Sequence, residues 1–150
     1  MVYPIVLYGD PVLETPAAKV TAFDGELKTL IDDMFESMYA AHGVGLAAPQ
    51  IGIGKQITVI DVTFKEDPEQ KLVLINPEII ATEGKQRGQE GCLSLPEFRE
   101  DVSRANLVTV RRRTSMESGL RPPAKACLPA HSCMRSNISK ACCTFRISAA

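Results

Sequence analysis

No run of about eighteen apolar residues occurs anywhere in the 150-residue chain, so no transmembrane span is expected. Met1 to Asp10 lack both a basic cluster and a long apolar stretch, so no secretory leader is expected either. Internal repeats are missing, as are C-x₂-C and H-x₃-H pairs, which excludes the standard zinc modules. Histidine is scarce, with His42 and His131 the only two. What remains is ordinary. A composition 45% hydrophobic and 23% charged lies well outside the disordered regime, and the length suits one domain. The net charge of −1 on its face excludes nucleic-acid binding. That sum conceals a split. Residues 1–111 carry ten Lys/Arg against seventeen Asp/Glu, whereas 112–150 carry seven against the single Glu117, leaving −7 and +6. Cys127, Cys133, Cys142 and Cys143 lie in the basic stretch with Pro122, Pro123 and Pro129. The chain reads as two unlike pieces, a domain over 1–111 and a divergent basic, cysteine-rich tail over 112–150.

The first piece has consistent local grammar. Asp10-Pro11 and Thr15-Pro16 mark turns. Between Asp24 and Ala41, Leu27, Leu30, Ile31, Met34, Phe35, Met38 and Ala41 recur at helical spacing, opposite Lys28, Asp32, Asp33 and Glu36. Asp24 supplies the N-cap, and Gly43 is expected to end the helix. Gln56 to Thr63, Lys71 to Ile75 and Arg104 to Arg111 alternate as strands do. Asn76-Pro77 is expected to end the second strand, with Ile79 to Thr82 resuming it. One helix followed by several short strands predicts an α+β domain with mainly antiparallel sheet. The second piece is different. Arg112 to Ala150 holds no sustained period of 3.6 or 2.0 residues and is expected to be disordered.

Two segments carry chemistry. Gly43-Val44-Gly45-Leu46-Ala47-Ala48-Pro49-Gln50 follows the helix, its small residues permitting close backbone approach and Gln50 ending it with an amide. Glu90-Gly91-Cys92-Leu93-Ser94-Leu95-Pro96 places one cysteine after a glycine. Alone, the first reads as a tight helix-to-strand corner and the second as a buried cysteine acting as a small hydrophobe.

Together, GVGLAAPQ and EGCLSLP resemble the first two signature motifs of peptide deformylase. The resemblance covers about residues 1–111 and includes the opening VLYGDPVLETPAAKV and the strand RANLVTV. It implies hydrolytic removal of the formyl group from the N-terminal formyl-methionine of nascent polypeptides. It also implies mainly antiparallel sheets around a central helix bearing HExxH, a bacterial cytoplasmic location and transient contact with the ribosome. No membrane and no specific nucleic acid are implied as partners. The family activates water with a divalent metal, commonly Fe²⁺ and alternatively Zn²⁺ or Ni²⁺. By resemblance Cys92 supplies a thiolate ligand, and two histidines of HExxH supply the others. The motif's Glu acts as general base and then acid. The Gln50 side chain and the Leu93 backbone N–H hold the developing oxyanion, while Val44 and Gly45 line the path of a substrate peptide added as a strand.

The third motif is missing. Neither His42 nor His131 belongs to an HExxH, so two metal ligands and the general base are absent. As a residue at the helix end, His42 is expected to cap or to be half-buried rather than to ligate. As written, the chain should not deformylate. The genetic code suggests why: read one frame over, the codons spanning Cys133 to Cys143 permit His-Glu-Ile-Glu-His-Leu-Glu-Gly-Val-Leu. Those spanning Arg113 to Ser118 permit Asp-Leu-Asp-Gly-Lys, a natural turn. A reading-frame slip near Arg111 to Arg113 would replace the central helix with an unrelated tail. Loss of that helix is expected to bare the apolar face of helix 24–41 and of the strands, giving a destabilised, aggregation-prone product unless the tail repacks. Taken at face value instead, Cys127, His131 and Cys133, or Cys142 and Cys143, offer metal donors at no standard spacing. Nothing indicates an oxidising compartment for disulfides. The +6 offers a contact for nucleic acid or an acidic ribosomal surface, but Phe145 is the tail's one aromatic, and a solvated tail is the simpler reading.

Overall fold

The main helix begins at Asp24, whose carboxylate accepts from the Leu27 N–H at 3.0 Å. The computed structural model describes residues 1–67, 71–105, 107–113 and 124–127. A single turn, α1 (Pro11–Glu14), precedes the main helix, α2 (Gly25–Ala40). The end of α2 is a Schellman arrangement in which His42 N–H donates to Tyr39 C=O at 3.0 Å and Gly43 N–H to Met38 C=O at 2.9 Å. The left-handed residue there is His42, at φ 54, rather than Gly43. Gly43 instead takes the next position, where its amide closes the outer bond.

Strands β1 (Gly45–Ala47), β2 (Ile57–Ile60), β3 (Leu72–Glu83), β4 (Gln86–Cys92), β5 (Leu95–Arg104), β6 (Leu107–Arg113) and β7 (Ala124–Cys127) follow. A 3₁₀ turn, Ala48–Ile51, joins β1 to the connection before β2. Five strands form one sheet in the order β1-β2-β3-β6-β7, and β4 with β5 forms a separate hairpin. Every named pair is antiparallel. The α+β class and the antiparallel character agree with the sequence reading.

Helix α2 packs its apolar face on this sheet. Leu27, Ile31, Met34, Phe35, Met38 and Tyr39 form one cluster with Leu46, Ile51, Ile57, Val59 and Ile75. Each large side chain fully buried contributes about 1.5–3 kcal/mol. The expectation of a bared helix face is therefore corrected: Met34 and Met38 are both 0% exposed. Strands β1 and β2, with Tyr3, Ile5 and Phe23, supply partners that the sequence did not reveal. Exposed apolar side chains on strands do occur, at Ile80 and Phe98.

Strand β3 runs unbroken through Asn76-Pro77, where the sequence predicts an end. The register with β6 shifts between Ile75 and Glu78, so a bulge takes the residue that lacks an N–H. Asn76 adopts φ 48 there, and its side chain is tied to the Val20 backbone, accepting from N–H at 2.8 Å and donating to C=O at 2.9 Å. The hairpin β4–β5 leaves no signal in the sequence. Its described side chains are mostly polar and exposed, so no apolar alternation marks it. Four residues of the stretch read as tail, β7, pair with β6 in the register Leu107↔Cys127 to Val110↔Ala124. His131, Cys133, Cys142, Cys143 and the alternate-frame motif lie outside the described residues.

Candidate active site

The segment after α2 is held by its own backbone. Asp61 N–H donates to Val44 C=O at 2.9 Å, extending the β1–β2 ladder by one residue. Strand β1 stands at one end of the sheet order. Val44 is half-buried and Gly45 buried. At the close of the segment the 3₁₀ turn brings Gln50 back over β1, and its Oε1 accepts from Ala47 N–H at 3.0 Å. That bond settles the orientation of the amide. Reversed, two donors would face each other, so Nε2 must point the other way.

The other way is the turn between β4 and β5. Gln50 Nε2 lies 3.8 Å from Cys92 Sγ and 3.4 Å from Ser94 Oγ. The register of β4 with β5 shifts between Gly91 and Cys92, which re-aims the cysteine at the hairpin's end. Leu93, between Cys92 and Ser94, folds its side chain over Gly43, where an added Cβ would stand 2.8 Å from Leu93 Cδ1. The two sequence segments thus meet through a glycine as well as through an amide. The Leu93 N–H donates to none of the described residues. Four residues named from sequence, Gln50, Cys92, Leu93 and Gly45, belong to two adjoining segments in space, and Val44 borders them.

Ser94 has no role by sequence beyond its place in the motif, although it is only 5% exposed and touches Gln50. Sequence reasoning also missed a second buried network. Asp61, 0% exposed, accepts from Tyr39 O–H, from Thr63 N–H at 2.9 Å and hydroxyl at 2.7 Å, and from Lys65 N–H at 3.0 Å. Burial pushes its carboxyl up, but these donors, Tyr39 first, overcome that and hold its pKa at about 2. Burial and the Asp61 carboxylate both push the Tyr39 phenol well above its ordinary range. The network fixes Phe64 and Lys65 at φ 51 and φ 78 beside the end of α2. Its sequence signal is an acid ending an apolar strand.

A family description, polypeptide deformylase, matches residues 2–119. The chain belongs to this family. A peptide deformylase of Acidobacterium capsulatum is 66% identical over 111 residues, 74% of this chain and 65% of that protein. The chain therefore spans just under two-thirds of that relative's length. The crystal structure of a peptide deformylase from Legionella pneumophila superposes with a TM-score of 0.83 at 36% identity, covering 93% of this chain and 80% of that one. That of a peptide deformylase from Synechococcus elongatus, in complex with actinonin, gives 0.81 at 40% identity, covering 92% and 74%.

A deformylase site of the kind the resemblance implies needs three protein ligands, and the described residues do not fit it. Among the described residues no group of three or more His, Cys, Asp or Glu could hold a metal ion. Cys92 stands there as a free thiol. His42 is exposed at the end of α2, and no His-Glu-x-x-His occurs in the sequence. One sulfur cannot build a tetrahedral site.

Proposed function

We propose that this chain is a deformylase domain that keeps the formyl-peptide recognition half of the site and lacks the hydrolytic half. The observation that carries the reading is the Gln50 amide, fixed by Ala47 N–H so that Nε2 faces Cys92 and Ser94. A formyl oxygen lying between that amide and the Leu93 N–H would accept from two preorganised donors. Strand β1, at the end of the sheet, is where the peptide would lie as an added strand past Val44 and Gly45. The intact family reaction is removal of the formyl group from formyl-methionyl nascent chains, in the bacterial cytoplasm and in transient contact with the ribosome. Fe²⁺, Zn²⁺ or Ni²⁺ would serve that reaction through Cys92 and two histidines, and this chain lacks the histidines. Among the described residues no helix is long and apolar enough to cross a membrane. We assign no specific nucleic acid.

The divergence of 112–150 fits a reading-frame slip near Arg111 to Arg113. Resequencing the gene decides that point: an uninterrupted frame with no HExxH alongside it removes the explanation. Binding is tested on the full chain with a formyl-methionyl tripeptide, followed by amide shifts. Saturable shifts at Val44, Gly45 and Gln50, weaker for the unformylated peptide, are expected. Absence of any shift up to millimolar peptide would contradict the reading. The second reading, a metal site built by the tail cysteines, predicts stoichiometric zinc that survives Cys92→Ala and is lost on changing Cys133.

A further inference from the structure

The hairpin that carries Cys92 belongs to neither edge of the five-stranded sheet, so its turn needs another tether. Residues 3–8 supply one. Val6 N–H donates to Gln50 C=O at 2.8 Å, and Tyr8 N–H donates to Ser94 C=O at 2.9 Å. Gln50 Nε2 in turn reaches Ser94 Oγ at 3.4 Å. The bonds close a ring from Val6 to Gln50 to Ser94 to Tyr8 and back along the chain. Both ends of the segment are anchored. Tyr3 N–H donates to Ser37 Oγ on α2 at 2.8 Å, and Ser37 is 1% exposed. At the far end the Asp10 carboxylate accepts from Val12 N–H at 2.9 Å and opens α1.

We infer that residues 3–8 form a strap whose Val6 and Tyr8 amides position the Cys92–Ser94 turn against Gln50. The strap acts through backbone. Leu7 and Tyr8 are 55% and 74% exposed, and Leu7 N–H donates to no described residue. Each amide bond ends on a residue of one motif, so the strap sets how far Gln50 Nε2 stands from the turn. Val6 and Tyr8 are positioning residues. Their meaning for formyl recognition rests on the reading proposed above, whereas the tether itself does not.

The test uses the full chain and needs neither metal nor hydrolysis. Amide exchange should show Val6 and Tyr8 protected at least about tenfold relative to Leu7, as expected for bonded amides flanking an unbonded one. Tyr8→Pro, which removes the donor, should speed iodoacetamide labelling of Cys92, read by peptide mass, by about fivefold. Tyr8→Ala keeps the N–H and should stay within about twofold of the parent, with α2 amide protection unchanged in both. Equal exchange at Val6, Leu7 and Tyr8 overturns the inference, as does parental Cys92 labelling in Tyr8→Pro. Should that proline variant unfold, the exchange measurement on the parent chain decides alone. Failure of the functional reading would show elsewhere, in the tripeptide titration.

Discussion

Gln50 shows how one side chain can be settled by its neighbours: a backbone donor takes its oxygen, and the opposite face of the amide is left to work on the hairpin turn. Asp61 is the harder case, a carboxylate wholly out of solvent. Its two oxygens accept from Tyr39, Thr63 and Lys65, so every bond arrives from a donor. Asp61→Asn turns an amide N–H₂ toward one of those pairs and should cost about 1–3 kcal/mol in denaturant unfolding. The pH dependence has a definite sign. The folded carboxyl, at about 2, lies below the ordinary 3.8, so the ionised form is the one the fold stabilises. That contribution is complete above about pH 4 and is lost as pH falls through about 2. Thermal melts between those limits should fall more steeply for the parent chain than for Asp61→Asn. Parallel slopes would contradict the assignment.

Helix α2 was legible because a 3.6-residue apolar period and an acidic cap coincide, and the structure matches it within a residue at either end. Truncating its most enclosed face is the corresponding test. Met38→Ala should cost about 2–5 kcal/mol by chemical denaturation, the usual penalty for a cavity at a 0%-exposed site. A change under about 1 kcal/mol would mean that the helix is not packed as described. Strands were legible where burial favours apolar, β-branched residues. Ile57–Ile60, buried at all four positions, shows in the sequence, whereas the β4–β5 hairpin, whose described side chains are mostly polar and exposed, does not. Asn76-Pro77 misled because a proline normally stops a strand, and only the bulge and the Asn76 clamp on Val20 accommodate it. The strap was illegible for a different reason. Its bonds are backbone bonds, and no side-chain pattern encodes them.

At the scale of the whole molecule, the sequence changes charge and grammar after Arg111, whereas the family match runs on to residue 119. The two motifs carried the family because each pairs small residues with one functional group, and the fold brings Gln50 and Cys92 together. What the motifs could not convey is the company Cys92 lacks. Among the described residues it has no partners with which to hold a metal, and the sequence holds no HExxH to supply them. The central claim is thus recognition without hydrolysis. Formate release tests it most directly, using the purified full chain supplied anaerobically with Fe²⁺, then Ni²⁺, and a formyl-methionyl tripeptide. The account predicts release no faster than from the metal alone. Turnover above that background which disappears in Cys92→Ala would contradict it.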